Sequence, residues 1–464
     1  MEKYKKNDFY EVEIIDIGEN GEGIGKLEGY TLFVKDAVIG DIVEAKILKV
    51  KKHYAYARLE RVITPSPFRV EPRCRFHKQC GGCQIQALSY ERQLKFKQKK
   101  VKNNLIRIGG LEPQTAEAIL EPPVGMEEPF FYRNKAQFPF GRNKQGDTVT
   151  GFYAGRTHSI IANTDCILGV PENQVILETI LAFMKEEEIP PYDEVQHQGL
   201  VRHVLIRKGF STGQLMVCLV LRARRLPHSD KLVEMLKQIP RMTSISISIN
   251  RERTNTIMGE EIHILYGSKS IEDSIGGLTF KISPLSFYQV NPVQTEKIYE
   301  KALEYADLKG RETVWDLYCG IGTISLFLAR KAKQVYGVEI IPEAIADARE
   351  NAICNGIKNV DFFVGKAEEV LPLKYEKEGI HADVIVVDPP RKGCDPACLW
   401  TMVQMQPKRI VYVSCDSATL ARDVRYLGEH GYSLEKVSVF DNFPQSVHVE
   451  CVIMMQYCGK EKKK

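Results

Sequence analysis

The sequence predicts three structural units in series: a small β-barrel over residues 1–62, an α+β region over residues 63–275, and an α/β domain with a parallel sheet over residues 276–464. Short strands of alternating polarity crowd residues 9–61, and strand alternates with helix from about residue 276 onward. A chain of 464 residues is also too long for one ordinary hydrophobic core. Apolar residues at 44% and charged residues at 27% allow a sizeable core and exclude disordered and collagen-like classes. No window approaches 18 uninterrupted apolar residues, and the opening Met1-Glu-Lys-Tyr runs into charged alternation. Neither a membrane span nor a signal peptide is expected, and the chain reads as cytoplasmic.

In the first unit, Val12-Glu-Ile-Ile, Thr31-Leu-Phe-Val and Ile42-Val-Glu-Ala-Lys-Ile read as strands, with the turn-rich stretch from Gly18 to Gly25 between them. Strands this short at this spacing suit a closed OB-like barrel. Thr64-Pro-Ser-Pro marks a linker, because two prolines bar helix and central strand. A cysteine-rich segment from Cys74 to Cys83 follows, and then a basic amphipathic helix with Leu94, Val101 and Leu105 at helical spacing, Ser89 as N-cap and Gly109-Gly110 as stop. Residues 130–275 show no strong period. After them come strands at Thr313-Val-Trp-Asp-Leu, Gln334 to Glu339, Val360 to Val364, Ala382 to Asp388 and Arg409 to Val413, with helices through Leu326 and Ala329 and across Ala344 to Asn355. Such alternation builds a parallel sheet covered on both faces. The terminal charges Lys462 to Lys464 form the one low-complexity tract.

Charge is unevenly spread. Residues 1–61 hold 11 Lys/Arg against 12 Asp/Glu, whereas residues 62–109 hold 11 against 2, a net of +9. An anionic partner needs such a concentration. Lys95, Lys97, Lys99, Lys100 and Lys102, interleaved with Phe96, are the candidate phosphate contacts; the alternative is a solvated helix face.

Asp316-Leu-Tyr-Cys-Gly-Ile-Gly-Thr sits where a hydrophobic strand hands over to a helix. There Gly320 and Gly322 let the backbone approach a ligand. Glu339 closes the next strand, where ribose hydroxyls are usually gripped. A nicotinamide dinucleotide would prefer a third glycine near Ser325, which is absent; S-adenosylmethionine has no pyrophosphate and does not need it. Asp388-Pro-Pro ends a later strand at the same carboxyl edge, where open α/β sheets bind ligands, although a plain turn is the bland alternative.

Cys415, at the tip of Val411-Tyr-Val-Ser, emerges at that edge too. A lone cysteine is often an inert core residue, but beside a methyl donor a thiolate can add to carbon 6 of uracil and make carbon 5 nucleophilic. A base must then remove the proton from carbon 5. Glu450, a carboxylate in an otherwise apolar strand, is the candidate. Simple O- or N-methyl transfer needs no cysteine.

Cys74-x5-Cys80-Gly-Gly-Cys83 supplies three thiolates, the glycine pair letting the chain bend tightly, and Cys166 supplies a fourth. Four thiolates fit a structural zinc or an iron–sulfur cluster equally, unliganded cysteines being the remaining alternative. Cys218, Cys319, Cys354, Cys394, Cys398, Cys451 and Cys458 read as packing or surface residues.

Taken together these motifs resemble the RNA (uracil-5-)-methyltransferase family over nearly the whole chain. The resemblance implies a Rossmann-like S-adenosylmethionine-dependent domain at the C-terminus and an N-terminal barrel similar to the TRAM module of RNA-modifying enzymes. Cys74, Cys80, Cys83 and Cys166 would bind a [4Fe-4S] cluster. Gln289, in Phe287-Tyr-Gln-Val-Asn, would contact S-adenosylmethionine together with Tyr318, Gly320, Gly322, Thr323, Glu339 and Asp388. Cys415 corresponds to the family's nucleophile and Glu450 to its proton acceptor. Asp416-Ser417 after Cys415, and Ser446 where threonine is common, depart from the family pattern and leave the loop less rigid at worst. Arg133-Asn134-Lys135 is family-like and a possible RNA contact, a solvated face being the alternative, and Phe287 would stack on the target base or sit in the core. The barrel, the cysteines and the methyltransferase half in one chain imply 23S ribosomal RNA as substrate and a monomeric enzyme. Transfer RNA, or a non-catalytic role in RNA binding or ribosome assembly, are the alternatives.

Overall fold

The computed structural model describes residues 4–155 and 157–459, so Lys462 to Lys464 lie outside the described residues. At the N-terminus β1 (Phe9–Ile17), β2 (Gly23–Leu27), β3 (Tyr30–Lys35), β4 (Ile42–Val50) and β5 (Tyr54–Thr64) close into a barrel in the order β1-β2-β3-β5-β4. Alternate residues fill its interior, among them Val12, Ile14, Leu32, Val34, Val43, Ile47 and Ala57. The sequence hides β2 inside what reads as a turn. The reason is steric: a Cβ on Gly23 would come within 2.7 Å of Ile14, and one on Gly25 within 2.4 Å of Val12, so this strand crosses the barrel without side chains at those positions. The last strand, β5, runs to Thr64, past the expected end of the unit at residue 62.

Two helices follow, α1 (Tyr90–Arg107) and α2 (Pro113–Ala118). Ser89 takes the N-cap position of α1 as expected, although its hydroxyl makes no cap bond. The middle of the chain forms a seven-stranded sheet from β6 (Lys135–Arg142), β7 (Thr148–Tyr153), β8 (Ile160–Ala162), β9 (Val201–Lys208), β10 (Leu215–Leu221), β11 (Met242–Ile249) and β12 (Glu261–Gly267), ordered β12-β11-β10-β9-β6-β7-β8. Its apolar face is covered by α3 (Glu172–Glu186) and α4 (Ser229–Lys237) through Ile176, Ile180, Phe183, Leu232 and Leu236.

A hairpin of β13 (Ile271–Ile275) and β14 (Leu278–Ile282) then turns through Gly276 and Gly277, both at positive φ. The expected boundary between residues 275 and 276 falls in this turn. Both strands of the hairpin pack into the C-terminal core, as do Val101 and Leu105 of α1, so the C-terminal unit recruits residues from the region assigned to the middle one.

The C-terminal unit comprises α5 (Pro292–Ala306), β15 (Thr313–Leu317), α6 (Thr323–Ala329), β16 (Gln334–Glu339), α7 (Pro342–Cys354), β17 (Val360–Val364), α8 (Ala367–Glu378), β18 (Val384–Val387), α9 (Pro396–Met405), β19 (Arg409–Ser414), α10 (Ser417–Glu429), β20 (Tyr432–Phe440) and β21 (Glu450–Tyr457). Its sheet is ordered β17-β16-β15-β18-β19-β21-β20, parallel through β19. Only β21 runs against its neighbours. The start of β21 therefore meets the carboxyl ends of the parallel strands, with Cys451 paired to Ser414.

Candidate functional site

Strand register assembles the site. Asp316 on β15, Glu339 at the end of β16, Asp388 just after β18 and Cys415 just after β19 all lie at the carboxyl edge. Because Ser414 pairs with Cys451, antiparallel pairing sets Glu450 beside Cys415, on the adjacent strand. From sequence, Asp316, Glu339, Asp388 and Cys415 fall at one carboxyl edge and Glu450 only within an apolar strand; the reversal of β21 brings Glu450 to the same edge.

The turn after β15 is held open by backbone geometry. Tyr318 has φ 67°, Gly320 55° and Gly322 81°. A Cβ on Gly322 would lie 2.9 Å from Phe362, so the turn tolerates no side chain there. Gly320 N donates to Glu339 at 3.3 Å, which fixes that carboxylate against the turn. The Thr323 hydroxyl meets the Tyr299 hydroxyl at 3.0 Å. The Tyr318 hydroxyl sits beside Cys394 and Cys398 and near the backbone of Asp395, which anchors its ring between the strand tip and α9.

The edge is rich in acid. Burial pushes Asp316 up to about 7, opposed by the Ser325 hydroxyl that donates to it and reinforced by Asp388. One Asp316 oxygen, Oδ1, is buried without a partner. Burial likewise lifts Asp388 to about 7. Glu450 stands well above the ordinary carboxylate range, first through burial and then through Asp388. The Asn442 amide lies beside Glu450 and pulls it down, although it closes no hydrogen bond of ordinary length and both of its polar atoms are buried without a partner. Burial, then Glu450 and Asp388, push the Cys415 thiol up to about 12, and the Arg391 guanidinium works in the opposite direction. Such a site favours a cation, and S-adenosylmethionine carries one on its sulfonium.

The segment that delivers Glu450 is clamped from outside the C-terminal unit. Lys97 of α1, only 1% exposed, forms an ion pair with Asp441 and donates to Phe443 O at 3.0 Å. Lys100 donates to Val447 O at 3.2 Å, and Gln93 exchanges hydrogen bonds with Gln445 at 3.0 and 3.1 Å. This corrects the expectation that the lysines of α1 form one phosphate-binding row. Lys97 and Phe96 are buried, Lys99 pairs with Asp16 at 3.0 Å, Lys102 with Glu117 at 2.6 Å, and Lys95 with Glu91 on the same helix. The signal that singles out Lys97 is its spacing: three residues after Leu94 and four before Val101, it falls on the apolar face of the helix, although nothing local names Asp441 as its partner.

Phe287 is 67% exposed and so is not a core residue, while its neighbour Tyr288 is buried. Gln289 accepts at its carbonyl from Asn134 Nδ2 at 2.9 Å, and two residues on Asn291 donates to Asn442 O at 3.1 Å, which joins this segment to the Glu450 side of the edge. Asn134 is buried, and burial lowers Lys135 to about 8, so Arg133-Asn134-Lys135 is not a solvated face. Asp416 caps α10 by accepting from Ala418 N and Thr419 N at 2.9 and 3.0 Å, and the Ser446 hydroxyl donates to Phe443 O at 2.7 Å. Both departures from the family pattern are thus hydrogen-bonded in place.

Cys74, Cys80, Cys83 and Cys166 line one cavity of about 350 Å³ between the 74–86 segment and the central sheet. They are close enough that, after burial, Cys166, Cys80 and Cys74 each raise the Cys83 thiol. The thiols surround the cavity without converging: among the described residues no group of three or more ligand side chains stands ready to hold a metal ion. Contrary to expectation, the glycine pair is not required for a tight bend. Neither Gly81 nor Gly82 has positive φ, and a Cβ on each would find ordinary contacts at 3.6 Å. Cys218, Cys319, Cys394, Cys398 and Cys451 are buried, and Cys354 and Cys458 are exposed, as expected.

A barrel followed by an α/β sheet with a glycine turn, carboxylates and a cysteine at its carboxyl edge defines a methyltransferase with an appended RNA-binding module. Residues 90–458 match the family described as tRNA (Uracil-5-)-methyltransferase, and residues 4–59 match the TRAM domain. The chain belongs to this family of S-adenosylmethionine-dependent RNA (uracil-5-)-methyltransferases. It is 48% identical to an RNA methyltransferase of Clostridium tetani over 99% of this chain and 98% of that one. It is 49% identical to another from Halalkalibacterium halodurans over 97% of each. Among solved structures, Pyrococcus abyssi tRNA (uracil-54, C5)-methyltransferase in complex with S-adenosyl-L-homocysteine is similar at 27% identity, with a TM-score of 0.76 over 96% of this chain and 100% of that one. Among the described residues no helix is long and apolar enough to cross a membrane.

Proposed function

We propose that this protein methylates carbon 5 of a uridine in 23S ribosomal RNA through a covalent bond between the Cys415 sulfur and carbon 6 of the base. The observation that carries this reading is the register that sets Cys415 beside Glu450, next to Asp388 and the glycine turn. S-adenosylmethionine, when bound at the turn with Gln289, Tyr318, Gly320, Gly322, Thr323, Glu339 and Asp388, supplies the methyl cation. Asp316 and Asp388 suit its charge and Glu339 its ribose. The protein's own residues do the rest. Arg391 favours the Cys415 thiolate, which adds to carbon 6, and the electron pair displaced to carbon 5 takes the methyl group. Glu450 then accepts the proton of carbon 5, and the carbon–sulfur bond breaks to restore the ring. Exposed Phe287 stacks on the flipped base.

The four cysteines hold a [4Fe-4S] cluster in this reading. Their soft donors and shared cavity suit it, and zinc at one equivalent without iron or sulfide in anaerobically purified protein would replace it. The joint presence of barrel, cysteines and methyltransferase unit favours ribosomal RNA, with the enzyme monomeric and cytoplasmic. A second reading, methylation of transfer RNA, draws support from the Pyrococcus abyssi relative. Mapping 5-methyluridine in both RNA pools with and without the gene separates the two.

The decisive experiment uses RNA containing 5-fluorouridine with S-adenosylmethionine. Fluorine cannot leave as a proton, so a covalent protein–RNA adduct accumulates, and Glu450→Gln traps the corresponding methylated adduct, still bearing the carbon 5 proton, on ordinary uridine. Binding without adduct would instead mark a non-catalytic RNA-binding or assembly factor.

A further inference from the structure

The proposed function leaves one charged cavity unused. It lies at the end of the central sheet where β9 begins and β10 and β11 finish, strand ends brought level by the pairings Val201–Leu221 and Leu221–Ile249. Its volume is about 580 Å³, and it is lined by Tyr192, His197, Gly199, Arg222, Ala223, Arg251 and Arg253. Three guanidinium groups and an imidazole thus share one concave wall that contains no carboxylate.

The walls are fixed by Arg202 and Asn250 behind them and by contacts among the lining residues themselves. Arg202, nearly buried, donates to Asn250 O at 2.9 Å and Glu252 O at 2.8 Å and stacks on the Tyr192 ring at 4.7 Å. Asn250 closes the following loop by donating to Thr256 O and Ile257 O at 2.6 and 2.9 Å. The Tyr192 hydroxyl meets His197 Nδ1 at 2.7 Å, and Arg222 donates to His197 O. Gly199, with φ 92°, could carry no side chain, because its Cβ would lie 2.0 Å from Pro191 O. The neighbouring Arg224, by contrast, pairs with Glu261 at 3.4 Å. Glu261 also feels the charge of Arg251, but among the described residues neither Arg251 nor Arg253 forms an ion pair or a side-chain hydrogen bond. Arranging cations in a walled recess costs their mutual repulsion, which an anion filling the recess relieves.

We propose that this cavity binds backbone phosphates of the RNA substrate at a distance from the target uridine. The inference rests on the reading that RNA is the substrate, and deepens it by giving the central domain a phosphate-binding role. The opposite end of β9 faces the chemistry: Arg207 donates to Ser286 O, beside the segment of Phe287 and Gln289. From Val201 to Arg207 the strand spans about 20 Å at about 3.3 Å per residue. A strand of RNA reaching both ends covers roughly six stacked nucleotides at about 3.4 Å each. A hairpin with fewer than about six nucleotides on either side of the target uridine fills the active site without reaching the cavity, whereas a longer structured RNA fills both.

The test compares the wild-type protein with the double variant Arg251→Gln/Arg253→Gln, whose side chains hold no part of the fold. Binding is measured against 23S rRNA transcript and against a short uridine-loop hairpin, each across a salt series. The expected result is affinity for the long transcript about tenfold lower and a salt slope smaller by roughly 1.4 to 1.8, as removal of two phosphate contacts requires. Hairpin affinity and turnover on the hairpin are expected to be unchanged. Identical affinity and slope on the long transcript would overturn the proposal. So would micromolar binding of a free nucleotide that the double variant loses, since that marks a small-molecule site. A wild-type protein that forms no adduct yet shows the salt-slope difference would retire the enzymatic reading and leave the phosphate cavity standing.

Discussion

The carboxyl edge of the C-terminal sheet and the cysteine cavity of the central region are built by opposite means. At the edge, each chemical group sits at the tip of a regular strand, and hydrogen-bonded register fixes the spacing between Cys415, Glu450 and Asp388. In the cavity, Cys74, Cys80 and Cys83 come from a loop-rich segment, and Cys166 comes from beyond β8. The edge is thus pre-formed by backbone pairing, whereas the cavity has its donors in place around a space that a bound group would have to draw together. Groups at the edge should matter to chemistry with little effect on stability, and groups at the cavity should do the reverse.

The largest expected effect tests the first half of that contrast. Cys415→Ala should lower methylation by about 10⁴-fold or more while the thermal midpoint stays within about 2 °C of wild type. Cys83→Ser should do the opposite, losing the iron of the proposed cluster and melting earlier yet still forming the 5-fluorouridine adduct while folded. If Cys83→Ser abolished adduct formation in folded protein, the two regions would be chemically linked after all.

A smaller effect probes the clamp that α1 places on the edge. Lys97→Met leaves Asp441 buried without its cation, and removing one partner of a buried pair costs about 3–5 kcal/mol. Chemical denaturation should show this loss. A change below about 1 kcal/mol would mean that Lys97 and Asp441 are solvated in solution.

The smallest effect concerns pH. Asp316 and Asp388 have folded pKa values raised to about 7, above the unfolded value near 4, so their contribution to stability is complete below about pH 4 and is lost as pH rises through about 7. A cationic ligand relieves the resulting repulsion. The thermal shift given by S-adenosylmethionine should therefore be larger at pH 8 than at pH 5.5, whereas S-adenosylhomocysteine, lacking the sulfonium charge, should show a weaker dependence. Equal pH dependence for both ligands would place the carboxylates away from the sulfonium.

Much of this site was legible in the sequence because strand tips are legible. Thr313–Leu317, Gln334–Glu339 and Val360–Val364 are apolar runs with clear ends, and the groups that follow them sit at one edge by the handedness of parallel crossovers. The barrel was legible less completely, since β2 lacks side chains at Gly23 and Gly25 and leaves no alternation to read. The hairpin that spans 275/276 was not legible, because strands that begin in one region pack into the core of the next.

What the amino-acid sequence by itself determined is the inventory and its local placement: a strand-tip cysteine, a carboxylate, a glycine turn and four further thiols, each on or beside a recognisable element. Only the tertiary structure decided that β21 runs backwards and sets Glu450 beside Cys415, that Lys97 faces Asp441 and not solvent, and that Arg222, Arg251 and Arg253 share one recess. Polarity and periodicity follow from neighbours in the chain. Strand direction, the partner of a charge and the convergence of distant loops follow from packing that no local window contains.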